Sequence, residues 1–176
     1  MASEGTQGVE VRRGVELQHP NREKASSKAT KATVILLLLV SVVLMVIISI
    51  GGWSTIEGAK AVQIAYILIY LVMAYYISRW NRGVLPVASA LAIILLIFAA
   101  VAGPEWFTRD KAGFAQDTLD ASLLGLLTLL LVPVQALLIA FAMRGFAQNW
   151  HVELEVPVGQ VYRPGEPGAP SRPATA

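Results

Sequence analysis

The sequence predicts an all-α integral membrane protein, with four transmembrane helices in an antiparallel bundle, both termini cytoplasmic, and disordered N- and C-terminal tails. Three observations carry that prediction. Four apolar runs each hold 18 or more residues with at most one charge. Lysine and arginine are divided unequally between the segments that join the runs. The 176 residues are 55% hydrophobic and 15% charged, with a mean hydropathy of +0.59, whereas soluble domains average about 25% charged and about 45–50% apolar residues.

Residues 1–31 are polar and show no apolar period that would pack a core, so they are expected to be disordered. The transmembrane domain is expected over 32–146. Its first span, 33–53 (TVILLLLVSVVLMVIISIGGW), contains no charge. At about 1.5 Å per residue such a run reaches about 31 Å, the thickness of a bilayer's hydrocarbon core. A cleaved signal peptide has a shorter leader and an apolar run of about 7–15 residues, so an uncleaved anchor is expected instead. Spans 61–78, 84–103 and 119–143 follow by the same test; their one charge, Asp120, falls in the first turn of the fourth.

Local signals fit these limits. Ser54 and Glu57 have the spacing of a capping box before the second span. Gly83 suits the turn after it, and Pro86 falls in the first turn of the third span, where a missing N–H costs little. Asp117 or Thr118 is placed to cap the fourth. Pro133 inside that span removes one backbone hydrogen bond and predicts a kink.

Sidedness follows from charge. Eleven of the lysines and arginines lie before the first span, in the 79–82 turn and after the fourth span, against Lys60, Arg109 and Lys111 on the other side. The positive-inside rule puts the termini and the Arg79/Arg82 turn in the cytoplasm. The interruption YYISRWNRGVLP is therefore a cytoplasmic turn, with Arg79 and Arg82 setting topology. Tyr75, Tyr76 and Trp80 read as an inner aromatic belt, and Trp53 and Trp106 as an outer one. Arg22, Lys24, Lys28 and Lys31 serve the same orientation, or bind anionic lipid.

In the tail, 147–176, residues 151–156 alternate and predict a short strand, followed by Pro/Gly-rich disorder. VELQ at 15–18 and VELE at 152–155 echo each other. Pairing of two edge strands is one explanation; chance repetition of a short alternating pattern is the favoured one. A further echo, IGGW against VAGPEW, is too short to establish a duplicated hairpin.

The composition excludes several functions. There is no cysteine, so no disulfide, thiolate metal site or cysteine nucleophile exists. A net charge of +2 gives no basic face for nucleic acid. The spans carry no His, Lys, Arg or Glu, the groups that proton relays and coupled-ion sites use. His19 and His151 have no nucleophile nearby in sequence, and no G-x-S-x-G, H-E-x-x-H or P-loop occurs. No catalytic, metal or cofactor residue is assigned, and none of these activities is expected.

Neutral polar and small residues remain. Gln63, Tyr66 and Tyr70 share a helix face with Ala74; Gly125, Thr128, Val132, Gln135 and Ala136 share another; Ser89, Ala92, Ala99 and Gly103 form a small-residue stripe. Helix packing is the ordinary use of such faces; a cavity lined by Gln63, Tyr66, Tyr70, Thr128 and Gln135 is the sharper one. The loop 103–120 offers Trp106, Phe107, Arg109 and Phe114 as a partner contact or an interfacial anchor. The expected function is therefore non-enzymatic: an accessory, scaffold or assembly subunit in the cell (plasma) membrane, in contact with the lipid bilayer and with other membrane subunits or itself. The alternative is a small oligomeric channel or carrier for a neutral or lipid-like solute.

Overall fold

The computed structural model describes residues 15–109 and 117–157. The elements run β1 (Val15–Gln18), α1 (Pro20–Glu23), α2 (Ala25–Gly51), a 3₁₀ turn (Glu57–Ala59), α3 (Lys60–Ser78), α4 (Val84–Thr108), α5 (Ala121–Ala147) and β2 (Leu154–Pro157). Helices α2, α3, α4 and α5 are each long and apolar enough to cross a membrane.

The buried residues explain how they pack. Along α5 they are Leu124, Gly125, Thr128, Leu131, Gln135, Leu138, Ala142 and Gly145, which apart from Gly125 alternate by four and three. Along α2, Val34, Leu38, Ser41, Met45 and Ile48 keep the same step. A repeat of 3.5 residues holds one narrow seam against a neighbouring helix over many turns. Of the stripe expected from sequence, Gly125, Thr128 and Gln135 lie in this buried face, but Val132 is only partly buried and Ala136 is exposed, because the seam passes through Leu131 and Leu138 instead.

Helix α2 is the centre of the bundle and α3 its periphery: half of the apolar window of α2 is buried, against 22% for α3. The tightest interface joins α4 to α5, while α3 leans on α2 and touches α4 lightly. Gly103 and Gly125 permit the α4–α5 approach. A methyl on Gly103 would stand 2.5 Å from Leu129 Cδ2, and one on Gly125 would stand 2.8 Å from Phe107 Cε2 and 3.2 Å from the Gly103 carbonyl. The stripe Ser89, Ala92, Ala99 and Gly103 is buried throughout, so it is consumed by packing within the chain.

At one end of the bundle, α2 and α5 are tied through their loops. Leu119 N–H donates to the Gly51 carbonyl at 3.2 Å, and Asp117 accepts hydrogen bonds from Ser54 Oγ and from Thr55 Oγ1 at 2.6 Å. This corrects both expected caps. Ser54 is spent on Asp117, the N-cap position of α3 is Ala59, and that of α5 is Asp120, which makes no side-chain capping bond.

The opposite end corrects the expectation for residues 15–31 more strongly. They form β1, α1 and the first turns of α2, which starts eight residues before the predicted span. Lys28 and Lys31 mark where lipid would end, but Ala, Ser and Lys are acceptable helix formers and the backbone ladder continues through them. Residues 1–14 and 158–176, also expected to be disordered, lie outside the described residues. The echo between the chain ends is also a real pairing: β1 and β2 are antiparallel, with Gln18 opposite Leu154 and Val15 opposite Pro157. The favoured explanation, chance repetition, is thereby overturned, and the second strand is LEVP rather than VELE.

A clasp built around Trp150 accompanies this sheet. Trp150 is fully buried and stands edge-on to Trp80, with ring centroids 5.2 Å apart. Its carbonyl accepts from Arg22 Nε at 2.9 Å and its indole N–H donates to Gln148 Oε1 at 3.0 Å. Gln148 Nε2 in turn donates to Thr30 Oγ1 at 3.0 Å. Two residues adopt positive φ here, Trp80 at 63° and Asn149 at 50°; Asn tolerates that region better than most residues and suits the chain reversal after a helix.

Candidate functional site

The predicted cavity residues divide into two groups. Tyr70 and Gln135 belong to a closed polar network at the centre of the bundle. The Tyr70 hydroxyl donates to Gln135 Oε1 at 2.9 Å, Gln135 Nε2 donates to Ser41 Oγ at 2.8 Å, and Ser41 Oγ donates to the Leu37 carbonyl at 2.8 Å. Both Tyr70 and Gln135 are completely buried. The chain joins α3, α5 and α2, and it satisfies the polar groups that an apolar interior would otherwise penalise.

Interhelical hydrogen bonds in membranes contribute about 0.6 kcal/mol on average and about 1.7 at most. Tyr70→Phe should fall in that range. Gln135→Leu removes two bonds and strands the tyrosine hydroxyl, and should cost about 1–3 kcal/mol. The double variant should cost less than the sum of the two, because both remove the same bond. Unfolding in mixed micelles checks this; strict additivity would show that the network does not act as a unit.

Gln63, Tyr66 and Thr128 form the second group, and they line a real cavity. None of the first ten residues of α3 is buried, whereas Tyr70, Met73, Ala74 and Ile77 are. Helix α3 therefore meets the bundle with its second half and stands off with its first. The wedge this leaves is a cavity of about 370 Å³. Its floor is Met45 and Ile48 of α2 with Thr128 and Leu131 of α5; Gln63 and Tyr66 stand on one wall and Leu95, Phe98 and Ala99 on the other. Ligand sites typically occupy about 300–1,000 Å³, are mostly apolar, and carry a few polar groups. Gln63 Nε2 donates to the Met45 carbonyl at 3.3 Å, and Thr128 Oγ1 to the Leu124 carbonyl at 2.7 Å. The rings of Tyr66 and Tyr70 meet edge to face at 5.9 Å, linking cavity to network.

The other predicted residues are placed as follows. Trp106 and Phe107 were expected in a loop, but α4 continues to Thr108 straight through Pro104. A membrane helix tolerates a proline because neighbouring groups compensate the freed carbonyl. Trp106 is buried rather than available to a partner, pressed so closely on Gly52 that a methyl there would lie 2.6 Å from its ring. Phe107 and Arg109 are exposed, and Phe114 lies outside the described residues. Arg79 is exposed. Arg82, expected to set topology, is engaged within the chain: its Nε donates to the Phe146 carbonyl at 2.7 Å, its guanidinium lies 4.0 Å from the Phe146 ring centroid, and its Nη1 lies 2.9 Å from His151 Nδ1. Lys31 is similarly engaged, donating to the Ser78 carbonyl at 2.8 Å and standing 4.0 Å from the Trp80 ring centroid.

Sequence reasoning missed Trp150 and Ser41. Trp150 sat in a segment assigned to the tail, although Asn149 beside it carried a reversal signal. Ser41 was hidden by the apolar run around it. Among the described residues one buried polar atom has no partner, Ser89 Oγ on α4, and no cluster of His, Asp and Glu could hold a metal ion.

By length and composition, four of the helices could each cross a membrane. Comparison with protein-family models, with curated proteins and with solved structures gives no match.

Proposed function

We propose that the chain is a non-enzymatic multi-pass protein of the cell (plasma) membrane, an accessory, scaffold or assembly subunit that meets another membrane protein along α3. In this reading the four helices form an antiparallel bundle with both termini in the cytoplasm. The loop ties between α2 and α5 at one end and, at the other, the bond from Gln148 after α5 to Thr30 and the bond from Lys31 to the end of α3 support that arrangement. The charge bias supports a clasp end that faces the cytoplasm.

The observation that carries the proposal is the closure of Tyr70, Gln135 and Ser41 on one another. These three side chains are used internally, so among the described residues they do not line a route for a solute through a single copy. What the chain offers outward is the poorly covered face of α3, where Leu68, Val72 and Tyr75 are each more than half exposed. The small-residue stripe is occupied inside the chain, so the partner surface is assigned to α3 instead.

A photo-crosslinking residue at Leu68 or Val72, activated in native membranes, should yield one stoichiometric protein adduct that the same residue at Leu126 of α5 does not. A homogeneous, partner-free chain after activation at both α3 sites would remove the reading. The wedge beside Gln63 and Tyr66 favours a second one, an oligomeric carrier for a neutral or lipid-like solute; it requires that Gln63→Leu reduce flux in reconstituted vesicles.

A further inference from the structure

The wedge between α3 and α4 has the dimensions of a slot. From Leu95 near its floor to Glu105 at its rim, α4 climbs about 15 Å at 1.5 Å per residue. That is half of a hydrocarbon core of about 30 Å, the depth of one leaflet. The cavity is about 370 Å³ and nearly all of its lining is apolar, so a slot as deep as one leaflet suits the hydrocarbon chain of a lipid from that leaflet.

The lining and the entrance agree with that occupant. Apolar side chains cover most of the surface, with Thr128 on the floor, Gln63 and Tyr66 part-way down and Glu105 at the mouth as the polar groups. Val62 on α3 and Phe98 on α4 are 51% and 57% exposed. They stand on opposite walls where the slot faces the surrounding medium, so a chain already in the bilayer can move in sideways. The half-buried ring of Tyr66 makes no hydrogen bond among the described residues, leaving its hydroxyl free for an ester or hydroxyl group of a lipid.

We propose that this slot is a binding site for one acyl chain of a bilayer glycerolipid, drawn from the leaflet at the Glu105 end. The inference rests on the helices lying in a bilayer and is independent of the partner role given to α3. A structural lipid held there completes the packing of the outer half of α3, which protein atoms leave unfinished.

The full chain reconstituted in phosphatidylcholine vesicles, with a phosphatidylcholine bearing a diazirine midway along one acyl chain, tests the site. After irradiation, adducts on Met45, Ile48 and Leu131 should exceed those on the lipid-facing Leu126 and Leu130 several-fold. Val62→Trp and Ala102→Trp each fill the slot, and each should lower slot labelling several-fold while Leu126 labelling and the unfolding midpoint stay unchanged. Even labelling of slot and outer surface, or slot labelling indifferent to both tryptophans, would overturn the proposal. A crosslink bridging the slot to another polypeptide would do so too.

Discussion

Trp150→Ala should destabilise the protein by about 3–5 kcal/mol, the range for removing a fully enclosed large aromatic side chain. The residue has no exposed surface, and its ring packs on Trp80 and against Gly145, where an added methyl would lie 3.1 Å from the indole. Truncation empties that space and leaves Gln148 Oε1 without its donor. The clasp should loosen before the bundle does, so limited proteolysis of the variant should cut near β2 or within 15–24 under conditions that spare the parent. Chemical unfolding in mild detergent gives the magnitude. A midpoint and a digestion pattern both equal to the parent's would mean that the clasp contributes nothing to folding.

Gly125→Leu should cost about 1–3 kcal/mol, the usual penalty for overfilling a close-packed site. Its first added carbon meets the Phe107 ring and, at 3.2 Å, the Gly103 carbonyl. A side chain can swing away; a backbone carbonyl inside a helix cannot, so α4 and α5 must separate. Gly58→Leu is the matching control, because a side-chain carbon there meets nothing within 4 Å. Thermal unfolding of the two variants in the same detergent should show a large drop for the first and little change for the second. Equal midpoints would contradict the close α4–α5 crossing.

The spans were legible because a single physical signal, sustained apolarity over one bilayer thickness, defines them. Their ends were less so. Hydropathy marks where lipid would stop, whereas the backbone stops only where its hydrogen-bond ladder fails; α2 therefore begins at Ala25 and α4 runs on to Thr108. Of the five predicted cavity residues, all face inward, but sequence spacing places them on helix faces without saying how helices splay. Tyr70 and Gln135 meet because α3 closes on the bundle at that level, and Gln63 and Tyr66 border open space because it does not. The clasp was illegible for another reason. Its parts, four residues of strand at each end and one tryptophan, are individually too short to stand out, and they acquire meaning only through contacts made across almost the whole chain.

That last property bears on the order of events during synthesis. His19 and Glu153, whose side chains meet at 3.1 Å, are 134 residues apart in sequence. The earliest part of the clasp therefore leaves the ribosome long before its complement exists. It must wait, unpaired, until all four long helices have been made. Closure of the little sheet is thus a record that synthesis has passed the last long helix, and a nascent chain stalled before β2 should leave its leading segment open to capture.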